Sequence, residues 1–87
     1  MSGLYTVESV KNRDGSVHER EARRQGHRVR IIRIGSSAPL LAEYIDEKDT
    51  ILRTSPVSDW VDSGERLIVW TRNSVYTFRK IDEEAAE

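Results

Sequence analysis

The sequence predicts an all-β domain, a small antiparallel barrel or sandwich of six to seven short strands. Runs rich in β-branched and aromatic residues recur along the chain at a spacing of roughly ten residues. Turn signals such as Asp14-Gly15 and Ser63-Gly64 separate several of these runs. Many short strands separated by turns are typical of SH3-like and OB-like barrels, which are domains of this size class.

Seven segments have the composition of strands. Strands are predicted over residues 4–10, 27–34, 39–46, 50–54, 57–61, 66–71 and 75–81. Pro56 is predicted to separate two of them, because proline has no amide hydrogen to donate to a sheet. Residues 27–34 carry apolar side chains on both faces, which indicates a closed or strongly bent sheet that covers both.

Two segments are ambiguous between helix and other structure. Residues 38–46 also fit a short helix, but a strand is preferred because a hairpin-like turn and a clear strand follow. Residues 17–25 could form a short helical turn. Their only apolar side chains are those of Val17 and Ala22, so such a helix would have little to bury. The segment is therefore interpreted as an exposed arm or loop with at most a helical turn.

The chain is predicted to form a single β domain over residues 1–81, with an acidic, disordered tail over residues 82–87. A domain this small buries little core, and the strand containing residues 67–70 (LIVW) would be costly to leave as an open edge. A homo-oligomer is therefore expected. The chain has no apolar run of about 20 residues and no signal-like N-terminus, so a cytoplasmic protein without a membrane segment is expected.

Charge is sorted along the chain although the net charge is only −1. Residues 18–33 are strongly basic, residues 43–65 are acidic and residues 66–81 are basic again. Such asymmetry suggests a polar partner surface or head-to-tail self-association. The predicted partner-binding residues are the arginines of the basic segment, Arg20, Arg23, Arg24, Arg28 and Arg30.

Catalytic and metal-binding patterns are missing from the sequence. There is no cysteine, and His18 and His27 lie in an arginine-rich segment without the spacing of a catalytic motif. The acids of residues 46–49 lack the glycine and the spacing of a calcium loop. The sequence therefore predicts a binding protein without a cofactor or a metal, and not an enzyme.

The candidate ligand site consists of two polar segments at strand ends, residues 53–55 and residues 71–74. Each combines an arginine, hydroxyl groups and backbone amides, which are groups that hold phosphate. The predicted ligand-binding residues are Arg53, Thr54, Ser55, Arg72, Asn73, Ser74 and Tyr76. The alternative is that the same hydroxyls only stabilise turns. Aromatic residues nearby, such as Trp60 and Trp70, would either stack a base or belong to the core.

The pattern Arg53-Thr54-Ser55-x-Val57, followed by Thr71-x-Asn73-Ser74-x-Tyr76, resembles a pattern in small proteins of phages and other mobile elements. The resemblance covers about a quarter of the chain and implies a non-catalytic role, such as an inhibitor of host defence, a sponge for nucleotide signals or a regulator. The sequence therefore leaves three candidate functions. The preferred one is sequestration of an anionic nucleotide-type ligand. The alternatives are an inhibitor or antirepressor that docks on a host protein, and nucleic-acid binding through the basic segment.

Overall fold

The computed structural model describes residues 3–19, 21–47 and 49–81. Arg20 and the predicted tail over residues 82–87 lie outside these ranges. The described part of the chain contains six strands and one short helix. Their order is β1 (Leu4–Asn12), α1 (Glu21–Arg24), β2 (Arg28–Arg33), β3 (Pro39–Tyr44), β4 (Ile51–Asp62), β5 (Arg66–Thr71) and β6 (Ser74–Ile81).

The six strands form one closed barrel. Each strand is antiparallel to the strand that follows it in sequence, and β6 pairs with β1 to complete the circle. The predicted all-β class is therefore confirmed. Among the described residues, no helix is long and apolar enough to cross a membrane.

The core fills the inside of the barrel, because alternate side chains of each strand point inward. The buried apolar residues are Tyr5, Val7, Val10, Val29, Ile31, Leu40, Ala42, Leu52, Val57, Leu67, Val69, Tyr76 and Phe78. Phe78 is fully buried and lies parallel to Tyr76, with 5.9 Å between the ring centroids. Tyr5 meets Phe78 edge-on, with 6.2 Å between the ring centroids, so these three rings pack together within the core.

The predicted break at Pro56 is wrong, because β4 continues through it as one strand. Pro56 lies opposite Pro39 of β3, and the register shifts between Pro39 and Leu41. Proline is tolerated at such a bulge because no regular ladder bond is required there. The amide of Leu40 next to the bulge donates instead to the side-chain oxygen of Thr54, at 3.0 Å. β4 therefore continues as one strand although Pro56 and Pro39 lie opposite each other.

Residues 38–46 are a strand, as preferred, since β3 covers Pro39–Tyr44. The closed sheet predicted from residues 27–34 is confirmed, but the outer face of this segment is not covered. A register shift between Ile31 and Arg33 leaves Ile32 55% exposed, while Ile34 packs against the core. The bulge adds one residue to the strand, so the apolar pattern continues on the inner face.

The predicted exposed arm is instead docked on the barrel, although its helical turn exists as α1. β1 pairs with β2 only over Leu4–Thr6. Beyond that point the connecting segment covers β1: the amide of Gly26 donates to the carbonyl of Val7 at 2.8 Å, and the amide of His18 donates to the carbonyl of Val10 at 3.2 Å. The docking is made by backbone groups and few apolar side chains, so the hydrophobic periodicity of the sequence does not indicate it.

Glu21 anchors this segment and is only 8% exposed. Its carboxylate accepts hydrogen bonds from Lys11 Nζ at 2.8 Å and from the amide of Val10 at 3.1 Å. These two donors, first the side chain of Lys11 and then the amide, hold the pKa of Glu21 below its ordinary value. Asp14 has a lowered pKa for a similar reason, since the hydroxyl and amide of Ser16 donate to it.

Acid is therefore expected to destabilise the fold through Glu21. A carboxyl group with a lowered folded pKa contributes stability above its unfolded pKa, and this contribution is lost as pH falls through the folded pKa. The free energy of unfolding of Glu21→Gln should be lower than that of the wild type at pH 7. The difference should shrink below pH 4.5, the ordinary value for this carboxyl group. Urea unfolding of both proteins at pH 3–7 measures it, and a difference that stays constant across this range would contradict the assignment.

One reason for expecting self-association is also wrong. β5 contains residues 67–70 and pairs on one side with β4 and on the other with β6. Closure of the barrel thus removes the open edge that would have needed a partner. The homo-oligomer stays a prediction that rests on the small core and the sorted charges alone.

Candidate functional site

The fold brings the two polar segments of the sequence together. Arg53, Thr54 and Ser55 lie in β4, just before this strand begins to pair with β5 at Val57. The second polar segment forms the tight turn between β5 and β6. Ser55 and the turn are in direct contact, since Ser55 Oγ accepts a hydrogen bond from the amide of Asn73 at 3.2 Å.

Thr71 is the centre of the hydrogen bonds that hold this turn. Its side chain is fully buried, and its oxygen accepts from Ser55 Oγ at 2.7 Å and from the amide of Ser74 at 3.0 Å. The same hydroxyl donates to the carbonyl of Ser74 at 3.1 Å. Hydrogen bonds of side-chain hydroxyls therefore hold this turn, in place of the backbone hydrogen bonds of a regular hairpin.

The backbone amides of the turn donate to other groups of the protein. The amide of Arg72 donates to the carbonyl of Pro56 at 3.0 Å, and those of Asn73 and Ser74 donate to side-chain hydroxyls. Asn73 does not adopt a left-handed backbone, since Ser37 and Asp49 are the non-glycine residues with positive φ in the described ranges. These three amides are therefore bonded within the protein, and a contribution of backbone amides to phosphate binding stays a prediction.

A polar cavity of about 230 Å³ opens beside the turn. It is lined by His18, Glu19, Arg24, Arg53, Thr54, Ser55, Asn73, Ser74 and Tyr76. Six of the seven predicted ligand-binding residues thus line one cavity. Arg72 is the exception, because its side chain is exposed and does not line the cavity.

Arg24 closes the cavity against the barrel core. Its guanidinium donates a hydrogen bond from Nη1 to Tyr76 Oη and lies 5.9 Å from the centre of that ring, within range of a cation–π contact. Tyr44 is close enough to interact with both groups: burial raises its pKa, and the charge of Arg24 opposes this rise. The α1 segment therefore places one arginine over the ring of Tyr76.

The groups able to bind a ligand are fewer than the lining suggests. The hydroxyl of Thr54 donates to the carbonyl of Ser55 at 2.7 Å, and the hydroxyl of Ser55 donates to Thr71. Arg53 and the side-chain amide of Asn73, in contrast, have no hydrogen-bond partner within the described part of the chain. With Arg24, they form a set of cationic and amide donors that suits an anion. Glu19 is the opposing negative charge.

The other arginines predicted to bind a partner lie away from the cavity. Arg23, Arg28 and Arg30 are exposed on the outside of the barrel and do not line it. Arg30 Nη1 lies 3.7 Å from Glu43 Oε1. Arg20 lies outside the described residues. Docking on another protein through these side chains stays a prediction.

The two tryptophans do not line the cavity either. Trp60 is half-buried and packs against the core, and Trp70 lines a shallow groove on the outer surface with Arg13, Ser58 and Asp59. Base stacking on a tryptophan at the cavity is therefore not possible in this arrangement. Tyr76 lines the cavity, but its ring also stacks on Phe78.

Sequence reasoning missed three residues of this region. His18 and Glu19 line the cavity, and Glu21 anchors the segment that carries them. All three belong to the segment interpreted as an exposed arm. Glu21 lies in a segment with almost no apolar residues, so no hydrophobic periodicity in the sequence indicates that its side chain is buried.

Comparisons with protein-family models, with curated proteins and with solved structures gave no match for this chain. Within the described ranges, no group of three or more histidine, aspartate or glutamate side chains is placed to hold a metal ion. The site is therefore interpreted from its own chemistry.

Proposed function

We propose that this protein binds the phosphate-bearing part of a nucleotide-type ligand in the cavity between α1, β4 and the β5–β6 turn, without transforming it. The observation that carries the proposal is the convergence of Arg24, Arg53 and Asn73 on one polar cavity. These residues are far apart in sequence and come from three separate elements.

Guanidinium groups fit the proposed ligand well. An arginine binds phosphate through two parallel hydrogen bonds, and the charge makes them stronger than bonds between neutral groups. Arg24 is held in place by Tyr76 and is therefore already ordered before a ligand binds, which lowers the entropic cost of binding. Arg53 is exposed and can close over the ligand.

The size of the cavity limits how much of the ligand it holds. At about 230 Å³ it is smaller than the roughly 300–1,000 Å³ of pockets that enclose drug-sized ligands. A phosphate and its attached sugar are the part that we place inside, with the base at the rim. This arrangement predicts little discrimination between bases.

Binding without turnover is supported by the state of the hydroxyls. Thr54 and Ser55 donate their hydrogens to protein oxygens and not to a histidine, so neither is arranged as an activated nucleophile. A sequestering protein needs only affinity. A sponge for nucleotide signals is one of the three non-catalytic roles implied by the resemblance to small phage proteins.

A thermal-shift screen tests the proposal, with inorganic phosphate and mono-, di- and cyclic nucleotides as probes. A ligand present at a hundredfold its dissociation constant adds about 2.7 kcal/mol to the free energy of unfolding. We expect at least one nucleotide to raise the melting temperature of the wild type. Arg53→Ala should lose this shift, and Glu19→Gln should enlarge it because it removes the opposing charge.

Arg72→Ala is the matched control. It removes an arginine from the neighbouring turn without changing the cavity lining, so its shift should equal that of the wild type. If no probe raises the melting temperature, the proposal is wrong. Equal losses in Arg53→Ala and Arg72→Ala would also refute it, because they would indicate general charge attraction.

A further inference from the structure

A row of side chains crosses the outside of the barrel on four neighbouring strands. In the strand register, Arg66 of β5 lies opposite Arg79 of β6, Arg79 lies opposite Thr6 of β1, and Thr6 lies opposite Arg28 of β2. The three arginines are exposed. We call these four residues the arginine row.

The arginine row is unfavourable for the stability of the isolated barrel. Like charges directly opposite each other on neighbouring strands destabilise a sheet, and Arg66 and Arg79 are such a pair. Glu8 compensates only Arg66, with both carboxylate oxygens 3.1 Å from its Nε. Arg28 and Arg79 have no ion pair within the described part of the chain.

The row continues as a basic surface along β2. Neighbouring strands are about 4.8 Å apart, so three steps from Arg66 to Arg28 span about 14 Å. Arg30 follows two residues after Arg28 on the same outer face, and Arg33 follows after the bulge. Three acids border this surface: Glu43 beside Arg30, Glu8 beside Arg66, and Asp46, whose carboxylate accepts a hydrogen bond from the backbone amide of Arg28 at 3.2 Å.

We infer that the arginine row binds the phosphodiester backbone of a nucleic acid, independently of its sequence. Arg28 and Arg79, which have no ion pair within the described part of the chain, lie in one row with Arg66 and match a line of phosphates, which supplies most of the affinity in non-specific nucleic-acid binding. The remaining member of the row is Thr6, so the row offers no aromatic group on which a base could stack. This inference does not rest on the nucleotide cavity, since neither Arg28 nor Arg79 lines that cavity.

A protein partner fits this surface less well than a nucleic acid does. Protein interfaces are centred on buried aromatic or apolar anchors that are surrounded by a polar rim. The arginine row has no such centre, because Thr6 lies between Arg79 and Arg28. A phosphate backbone needs only the charged side chains.

Fluorescence anisotropy with labelled single-stranded RNA and duplex DNA of one length tests the inference. If about three phosphates are neutralised, the affinity for duplex DNA should fall about 40-fold between about 50 mM and 200 mM salt. Comparison of the two affinities shows whether single-stranded RNA or duplex DNA is preferred. Polyglutamate is included as a competitor that carries negative charge without phosphate.

Two variants and one control complete the test. Arg28→Glu and Arg79→Glu should each weaken binding about tenfold or more, and each should reduce the salt dependence. Arg72→Glu makes the same change in net charge in the β5–β6 turn, away from the row, and should bind like the wild type. The inference is overturned if neither nucleic acid binds, if polyglutamate competes as well as nucleic acid, or if Arg72→Glu matches the two row variants.

Discussion

Phe78→Ala is expected to destabilise the barrel by about 3–5 kcal/mol, the cost of removing a large aromatic side chain from a packed core. Phe78 is fully buried and contacts two other rings, Tyr5 and Tyr76. Small domains have a total stability of about 5–15 kcal/mol, so this variant should lie close to its unfolding transition at room temperature. Urea unfolding followed by tryptophan fluorescence measures the change.

Val61→Ala is the matched control for this prediction. It also truncates an apolar side chain of the barrel, but Val61 lies on the outer surface and is 49% exposed. Its cost should stay within roughly 0.5 kcal/mol, as for most surface substitutions. If the two variants unfolded at the same urea concentration, the inside of the barrel would not be the core of this protein.

Thr71→Val is expected to cost about 1–3 kcal/mol, although it changes the size of the side chain very little. Valine cannot accept the hydrogen bonds from Ser55 Oγ and the amide of Ser74, and leaving a buried donor without a partner costs about that much. Hydrogen exchange at the amide of Ser74 should become faster as the turn loosens.

Thr71→Ser is the control that separates the hydroxyl from the methyl group. It keeps the hydroxyl and removes one carbon, which costs about 0.8 kcal/mol of burial. We therefore expect serine to be tolerated better than valine at this position. If valine were the more stable of the two, the hydroxyl of Thr71 would not hold the turn.

The all-β class could be predicted from the sequence because alternation and turn residues act locally. Asp14-Gly15 shows this, since Gly15 has a φ of 90° in a tight turn. Alternation also places Val29 and Ile31 on the inner face, where they are buried. The course of the chain at Pro56 could not be predicted, because the tolerance of a proline depends on which residue lies opposite it in the neighbouring strand.

The candidate site could be predicted only in part, for a related reason. Arg53 and Asn73 were recognisable as polar residues at strand ends. That they share one cavity with Arg24 depends on closure of the barrel and on the docking of α1. The docking uses backbone hydrogen bonds and the carboxylate of Glu21, and these leave no hydrophobic pattern in the sequence.

The closed barrel also changes the meaning of the charge pattern. The sequence indicates one basic partner-binding segment over residues 18–33. In the fold, Arg24 faces the cavity, whereas Arg28 lies on the outer surface beside Thr6 of β1. One basic segment therefore supplies two different surfaces, and variants of single arginines are needed to separate them.

The most direct measurement of nucleotide binding in the cavity is an NMR titration of the nitrogen-15-labelled protein with the nucleotide that gives the largest thermal shift. We expect the side-chain resonances of Arg24, Arg53 and Asn73 to move together and to saturate at one ligand per chain. The side-chain resonances of Arg28 and Arg79 should stay in place. Saturable shifts at Arg28 and Arg79, with those of the three cavity residues unchanged, would contradict nucleotide binding in the cavity.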